Sequence, residues 1–222
     1  MENPIKPNFK TEIFSLLIIL ITVSLSFYFY GKLPDEIPIH WNLAGEVDRM
    51  GSSTNMIFAM PALLISFYLL FLFLPLLDPK KERYKEFKKV YHTFKNIIIF
   101  LFFLLYLAVG LSGLGYNINI GLLIPIVVGI LFIIIGNYFD KVKSNWFMGI
   151  KTPWTLSSEE VWNKTHRLGG KTFMLGGLLL ITEPFLPVSL KLPIFILAIL
   201  LAAITPIIYS YILYRQESTS SK

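Results

Sequence analysis

Cysteine is absent from the 222 residues, and charge is scarce: Asp, Glu, Lys and Arg make up 15% of the chain against 55% for apolar types. The first absence removes disulfides, thiolate nucleophiles and Cys-based zinc or iron–sulfur sites, and with them any reading of redox compartment. The second does not suit an ordinary soluble domain, in which about a quarter of residues are charged. Histidine is also rare, with only His40, His92 and His166. No phosphate loop, nucleophile motif or metalloprotease signature accompanies them. No catalytic residue, cofactor or metal site is therefore expected. In excess are uncharged apolar runs and a formal charge of +6.

Six runs are long enough, or nearly so, to cross a bilayer at about 20 residues each. They are Ile13 to Tyr30, Asn55 to Leu77, Asn96 to Tyr116, Gly121 to Phe139, Thr172 to Val188 and Pro193 to Tyr214. The first closes on Phe27, Tyr28, Phe29 and Tyr30, where a cleavable signal would carry small residues, so it reads as an uncleaved helix. The third and fourth flank the polar turn Asn117-Ile118-Asn119 and form a helical hairpin. The only ionisable residue within these runs is Glu183, near an outer end. That argues against a coupled transporter, which would carry ion or proton sites inside its spans.

Six spans place both termini on one side, and with the amino terminus inside, Lys plus Arg divide 17 inside to 3 outside. The expectation is an all-α polytopic plasma-membrane protein with both termini cytoplasmic. Net charge is then +8 inside and −2 outside, so the basic excess is orientation information and does not point to nucleic acid. The predicted parts are an amino-terminal hairpin of helices over 1–77 with an outer loop at 31–54, and a basic cytoplasmic loop at 78–95. A four-helix region over 96–214 follows, with a cytoplasmic motif loop at 140–170, and then a disordered tail at 215–222.

The loops are where function is expected. In the outer loop, Pro34 and Pro38 favour extended backbone and Asn42 and Gly45 suit turns. There His40, Glu46 and Asp48 could form a cation or ligand site with Trp41 as platform, or Trp41 could simply anchor at the interface. In the basic loop Glu82, Lys85, Glu86 and Lys89 have helical spacing. That face could attract anionic lipid or dock a partner, or be a solvated positive-inside loop. The motif loop holds Trp146, Trp154 and Trp162, three of the four tryptophans, which suits the inner interface. Ser157 and Glu160 have capping-box spacing and start an interfacial helix carrying Trp162 and His166 on one face, ending at Gly169-Gly170.

Two stretches resemble a known family. Gly136-Asn137, then Asn145-Trp146-Phe147-Met148-Gly149-Ile150-Lys151-Thr152-Pro153-Trp154-Thr155-Leu156, then Glu160-Val161-Trp162 and Thr165-His166-Arg167 resemble the signature of the bacterial SdpI family. Leu33-Pro34-Asp35, Ile37 to Asn42, Gly45 and Asp48 resemble the amino-terminal domain of unknown function often joined to it. The resemblance implies a membrane immunity protein that protects a cell from a secreted antimicrobial peptide. In the best-known member it also implies capture of a cytoplasmic transcriptional repressor at the membrane. The family pattern usually has Arg at position 151, and Lys151 keeps the charge without bidentate recognition.

The expected partners are the lipid bilayer, a secreted peptide toxin outside and a cytoplasmic repressor inside, with no direct nucleic-acid contact. Binding outside is expected at Pro34, Asp35, His40, Trp41, Asn42, Gly45 and Asp48. The inner motif, structural or partner-binding, comprises Asn137, Asn145, Gly149, Lys151, Thr152, Pro153, Trp154, Thr155, Trp162 and His166. The alternative is a small transporter or lipid-handling protein.

Overall fold

The structure is a computed structural model and describes residues 3–220. Its elements are α1 (Phe9–Tyr30), β1 (Glu36–Trp41), β2 (Val47–Ser52), α2 (Ser53–Leu77), α3 (Tyr84–Gly113), α4 (Ile120–Tyr138), α5 (Pro153–Ser157), α6 (Glu159–Thr182), α7 (Val188–Ile199) and α8 (Thr205–Ser220). A π-helical segment, Leu200–Ile204, joins α7 to α8. Pro206 follows it and has no N–H for the carbonyl four residues back, the usual reason a helix widens to π at such a point.

Among the described residues, five helical stretches are long and apolar enough to cross a membrane: Phe9–Tyr30, Ser53–Leu77, Lys81–Gly113, Ile120–Lys141 and Val188–Thr219. The remaining run, Thr172 to Val188, falls short because its helix is half polar. α6 begins at Glu159 and runs unbroken to Thr182, so the interfacial helix does not stop at Gly169-Gly170. Those glycines sit where neighbours press closest: a Cβ on Gly170 would lie 2.7 Å from the Gly136 carbonyl oxygen, and one on Gly169 would lie 2.3 Å from Ile150 Cδ1. They serve packing, not termination.

Three further differences are local. Ser158 caps α6, accepting from Val161 N at 3.2 Å, because Ser157 is the helical last residue of α5 while Ser158 is extended. α3 starts at Tyr84, with a non-helical residue at Phe87, and absorbs much of the basic loop. α8 continues through Ser220, so residues 215–220 of the expected disordered tail are helical; Ser218 and Thr219 hydroxyls bond the Arg215 carbonyl. Residues 221 and 222 lie outside the described residues.

The chain forms two compact units. One comprises Pro7–Phe73 and His92–Val127. Its core holds Phe29, Ile37, Met56, Ile57 and Tyr106, with a second cluster of Ile18, Leu64 and Ile99. Thr22 and Ser26 inside α1 bond carbonyls four residues back, and Ser26 also meets the Tyr106 hydroxyl at 2.7 Å. α1 starts one turn earlier than expected and so takes in Glu12, which is buried and receives the buried Lys95 ammonium at 2.5 Å. Glu183 is therefore not the only ionisable residue within the helices.

The other unit comprises the amino-terminal segment to Lys6, Leu74–Tyr91 and Val128 onward. Here the backbones of α4 and α6 approach closely at paired glycines. A Cβ at Gly129 would meet the Gly177 carbonyl at 2.6 Å, and one at Gly136 the Gly170 carbonyl at 2.5 Å. α6 also packs on α7, α8 and the π segment. The buried face of α6 carries Trp162, Thr165, His166 and its glycines, while its charged residues, Glu159, Glu160, Lys164, Arg167 and Lys171, are exposed and confined to 159–171.

Candidate functional site

The loop at 31–54, expected outside, forms a β-hairpin, an element the all-α expectation omitted. Glu36 pairs with Ser52, Ile37 with Gly51, Pro38 with Met50, His40 with Arg49 and Trp41 with Val47, with irregular register on both sides of His40. Pro38 cannot donate to the ladder, which fits a two-stranded ribbon interrupted beside it. Ile37 is fully buried and roots the hairpin in the core of its unit. Asn42 closes the turn: its Oδ1 accepts from Ala44 N and Glu46 N, and its Nδ2 donates to Glu46 Oε2. Gly45 takes φ of +84° and lies against Gly121 at the start of α4, whose Cβ would stand 2.8 Å from Gly45 Cα. That contact requires glycine at both positions.

His40 Nδ1 and Asp48 Oδ1 are 2.5 Å apart across the strands, both exposed. Glu46 is engaged with Asn42 instead, so His40, Glu46 and Asp48 are not gathered on one point. Among the described residues no group of three His, Cys, Asp or Glu could hold a metal ion. Pro34 and Asp35 are exposed where the chain enters the hairpin, and Trp41 is half-buried. The hairpin thus offers an exposed acidic and imidazole surface on a fixed backbone.

The motif expected inside, termed the inner motif below, is built around Asn145, Trp162 and His166, all buried. Asn145 Oδ1 accepts from Phe147 N and Met148 N at 2.9 and 2.7 Å, while its Nδ2 donates to the carbonyls of Lys143 and Met148. Asp78 clamps this turn, accepting from Trp146 N and from the Tyr84 hydroxyl, both at 2.9 Å. Neither Asp78 nor Tyr84 is singled out by sequence reasoning, because each acts on a turn more than 60 residues away.

His166 stacks on Trp162, with ring centroids 4.1 Å apart. Its Nε2 accepts from Ile150 N at 3.0 Å, so Nδ1 carries the proton and donates to the Trp162 carbonyl at 2.9 Å. Burial pushes its pKa down to about 4, so the ring is neutral. Gly149, at φ +111°, passes directly over this ring: a Cβ there would lie 2.4 Å from Nε2. Trp162 Nε1 donates to the Val142 carbonyl. Thr152 and Thr155 form a reciprocal capping box that starts α5 with Pro153 at its first turn, and Thr152 also meets Ser210 on α8 at 3.1 Å.

Trp154 packs on Tyr211 at 5.0 Å, while Asn137 and Lys151 are exposed. Of the three clustered tryptophans only Trp146 presents its ring openly. Arg83 reaches both carboxylate oxygens of Glu159 at the start of α6, which holds that carboxyl below its ordinary range.

Comparison with known proteins ties these features together. Residues 141–210, covering most of the inner motif, match the SdpI/YfhL protein family, and residues 17–65, covering the hairpin, match a domain of unknown function, DUF1648. The chain is 31% identical over 211 residues to "Immunity protein SdpI" of Bacillus subtilis (strain 168), across 95% of this chain and 99% of that protein. No solved structure matches. The likeness takes in both the hairpin and the inner motif, and the chain belongs to the SdpI/YfhL protein family.

Proposed function

We propose that this chain is an integral membrane immunity protein, which protects its cell from a secreted antimicrobial peptide by engaging it at the hairpin. The observation that carries the reading is the likeness to an immunity protein over nearly the whole of both chains. The hairpin adds a physical basis: Asp35, Glu36, Glu46 and Asp48 are exposed on a rigid scaffold, an arrangement suited to a cationic peptide. Expression in a sensitive strain raises survival under peptide challenge, and Asp48→Ala together with Asp35→Ala lowers it. Unchanged killing by every peptide the source organism secretes overturns immunity.

In this reading Thr172 to Val188 forms a sixth span, the charged part of α6 over 159–171 lies outside the apolar layer, and both termini lie in the cytoplasm. Repressor capture by the inner loops is a narrower extension. A labelled candidate repressor that stays cytosolic under toxin challenge removes it and leaves immunity standing.

A further inference from the structure

The inner motif buries Asn145, Thr152, Thr155, Trp162 and His166, whereas the large apolar side chains of Trp146 and Phe147 stand 49% and 37% exposed. They are not loose. The backbone beneath them is held by the Asn145 side chain, which donates two hydrogen bonds and accepts two, and by the Trp146 N–H bond to Asp78. Their depth is also set. Asp78 is the residue immediately after α2, and the apolar stretch that includes α4 ends at Lys141. The Trp146 backbone, tied to Asp78 and five residues after Lys141, lies at the level where two apolar helical stretches end.

Charge at this point has one dominant sign. Between residues 140 and 151 the chain carries Lys141, Lys143 and Lys151 against Asp140, and Lys141 and Lys151 are exposed. Indole and phenyl rings prefer the headgroup layer, and lysines beside it are drawn to anionic lipid.

We propose that Trp146 and Phe147 form a rigid wedge seated in the headgroup layer of the surrounding bilayer, selecting anionic lipid through Lys141, Lys143 and Lys151. The inference does not depend on the immunity reading.

Because the chain has no cysteine, Phe147→Cys and, separately, Trp146→Cys each give one site for a nitroxide label. Each full-length protein is reconstituted in phosphatidylcholine vesicles with or without phosphatidylglycerol. The expected result is accessibility to oxygen several-fold above that to a water-soluble nickel chelate at both positions. Phosphatidylglycerol raises the ratio, and the rise is lost when Lys141, Lys143 and Lys151 are all changed to Gln. Free access by the chelate in both lipids overturns the wedge, and a ratio indifferent to phosphatidylglycerol overturns the anionic selectivity. Labels already immobilised in lipid-free detergent mean that protein covers the pair, which also overturns the proposal. If one substitution prevents folding, the other position reports alone.

Discussion

At the scale of single residues, the inner motif depends on neutral hydrogen bonding where titration is possible. His166 accepts from Ile150 N through Nε2, and a proton added there would set two donors against each other. Its folded pKa of about 4 lies below the ordinary 6.5. The associated stability is therefore complete above about pH 6.5 and is lost as pH falls toward 4, up to roughly 3 kcal/mol. Thermal unfolding of the purified protein across this window is expected to show the loss, and His166→Gln, which keeps an acceptor without titrating, is expected to flatten it. Asn145→Ala removes four hydrogen bonds from one buried turn and leaves backbone donors unpaired, with an expected cost of about 2–4 kcal/mol in the same measurement. Asn145→Asp keeps the two accepting bonds and is expected to lose less.

At the scale of elements, apolar runs translate almost directly into helices, because a long uncharged stretch in lipid has few alternatives. What a linear reading misses is decided by partners distant in sequence. The hairpin does not announce itself: Glu36 to Trp41 has Pro38 in its middle, and its one buried residue, Ile37, finds its setting only beside Phe29 and Tyr106. Gly169-Gly170 looks like a helix stop, and only the closeness of α4 shows why glycine is there. Glu12 lies one residue before an uncharged run; the Asn8–Thr11 capping box starts α1 ahead of it, and its buried partner, Lys95, is distant in the chain. Asn145, Trp162 and His166 stand out in the chain, but the Asp78 clamp does not. The Gly45–Gly121 contact provides a test at this scale. Gly121→Ala places a methyl 2.8 Å from Gly45 Cα, so the turn must lift, at an expected cost of about 1–3 kcal/mol. Limited proteolysis at the hairpin turn is expected to quicken several-fold; an unchanged rate would show that the tip is not held there.

For the whole molecule, parity of spans is the question with the sharpest answer. Five crossings put the termini on opposite sides and six put them on the same side. The 17 to 3 division of Lys and Arg favours six, with the hairpin outside. Alkaline phosphatase fused after Lys222 is then expected to be inactive, and the same enzyme inserted at the hairpin turn active. Activity at both would mean that α6 does not cross.

The Glu12–Lys95 pair also has a bearing on how the protein is made. The two residues are 83 apart in the chain, so α1 leaves the ribosome long before its counter-charge exists. Until α3 arrives, a carboxylate one turn into α1 is better served by headgroup water than by lipid. The full set of polar partners that holds the first helix at its final depth is therefore complete only once the third has been synthesised.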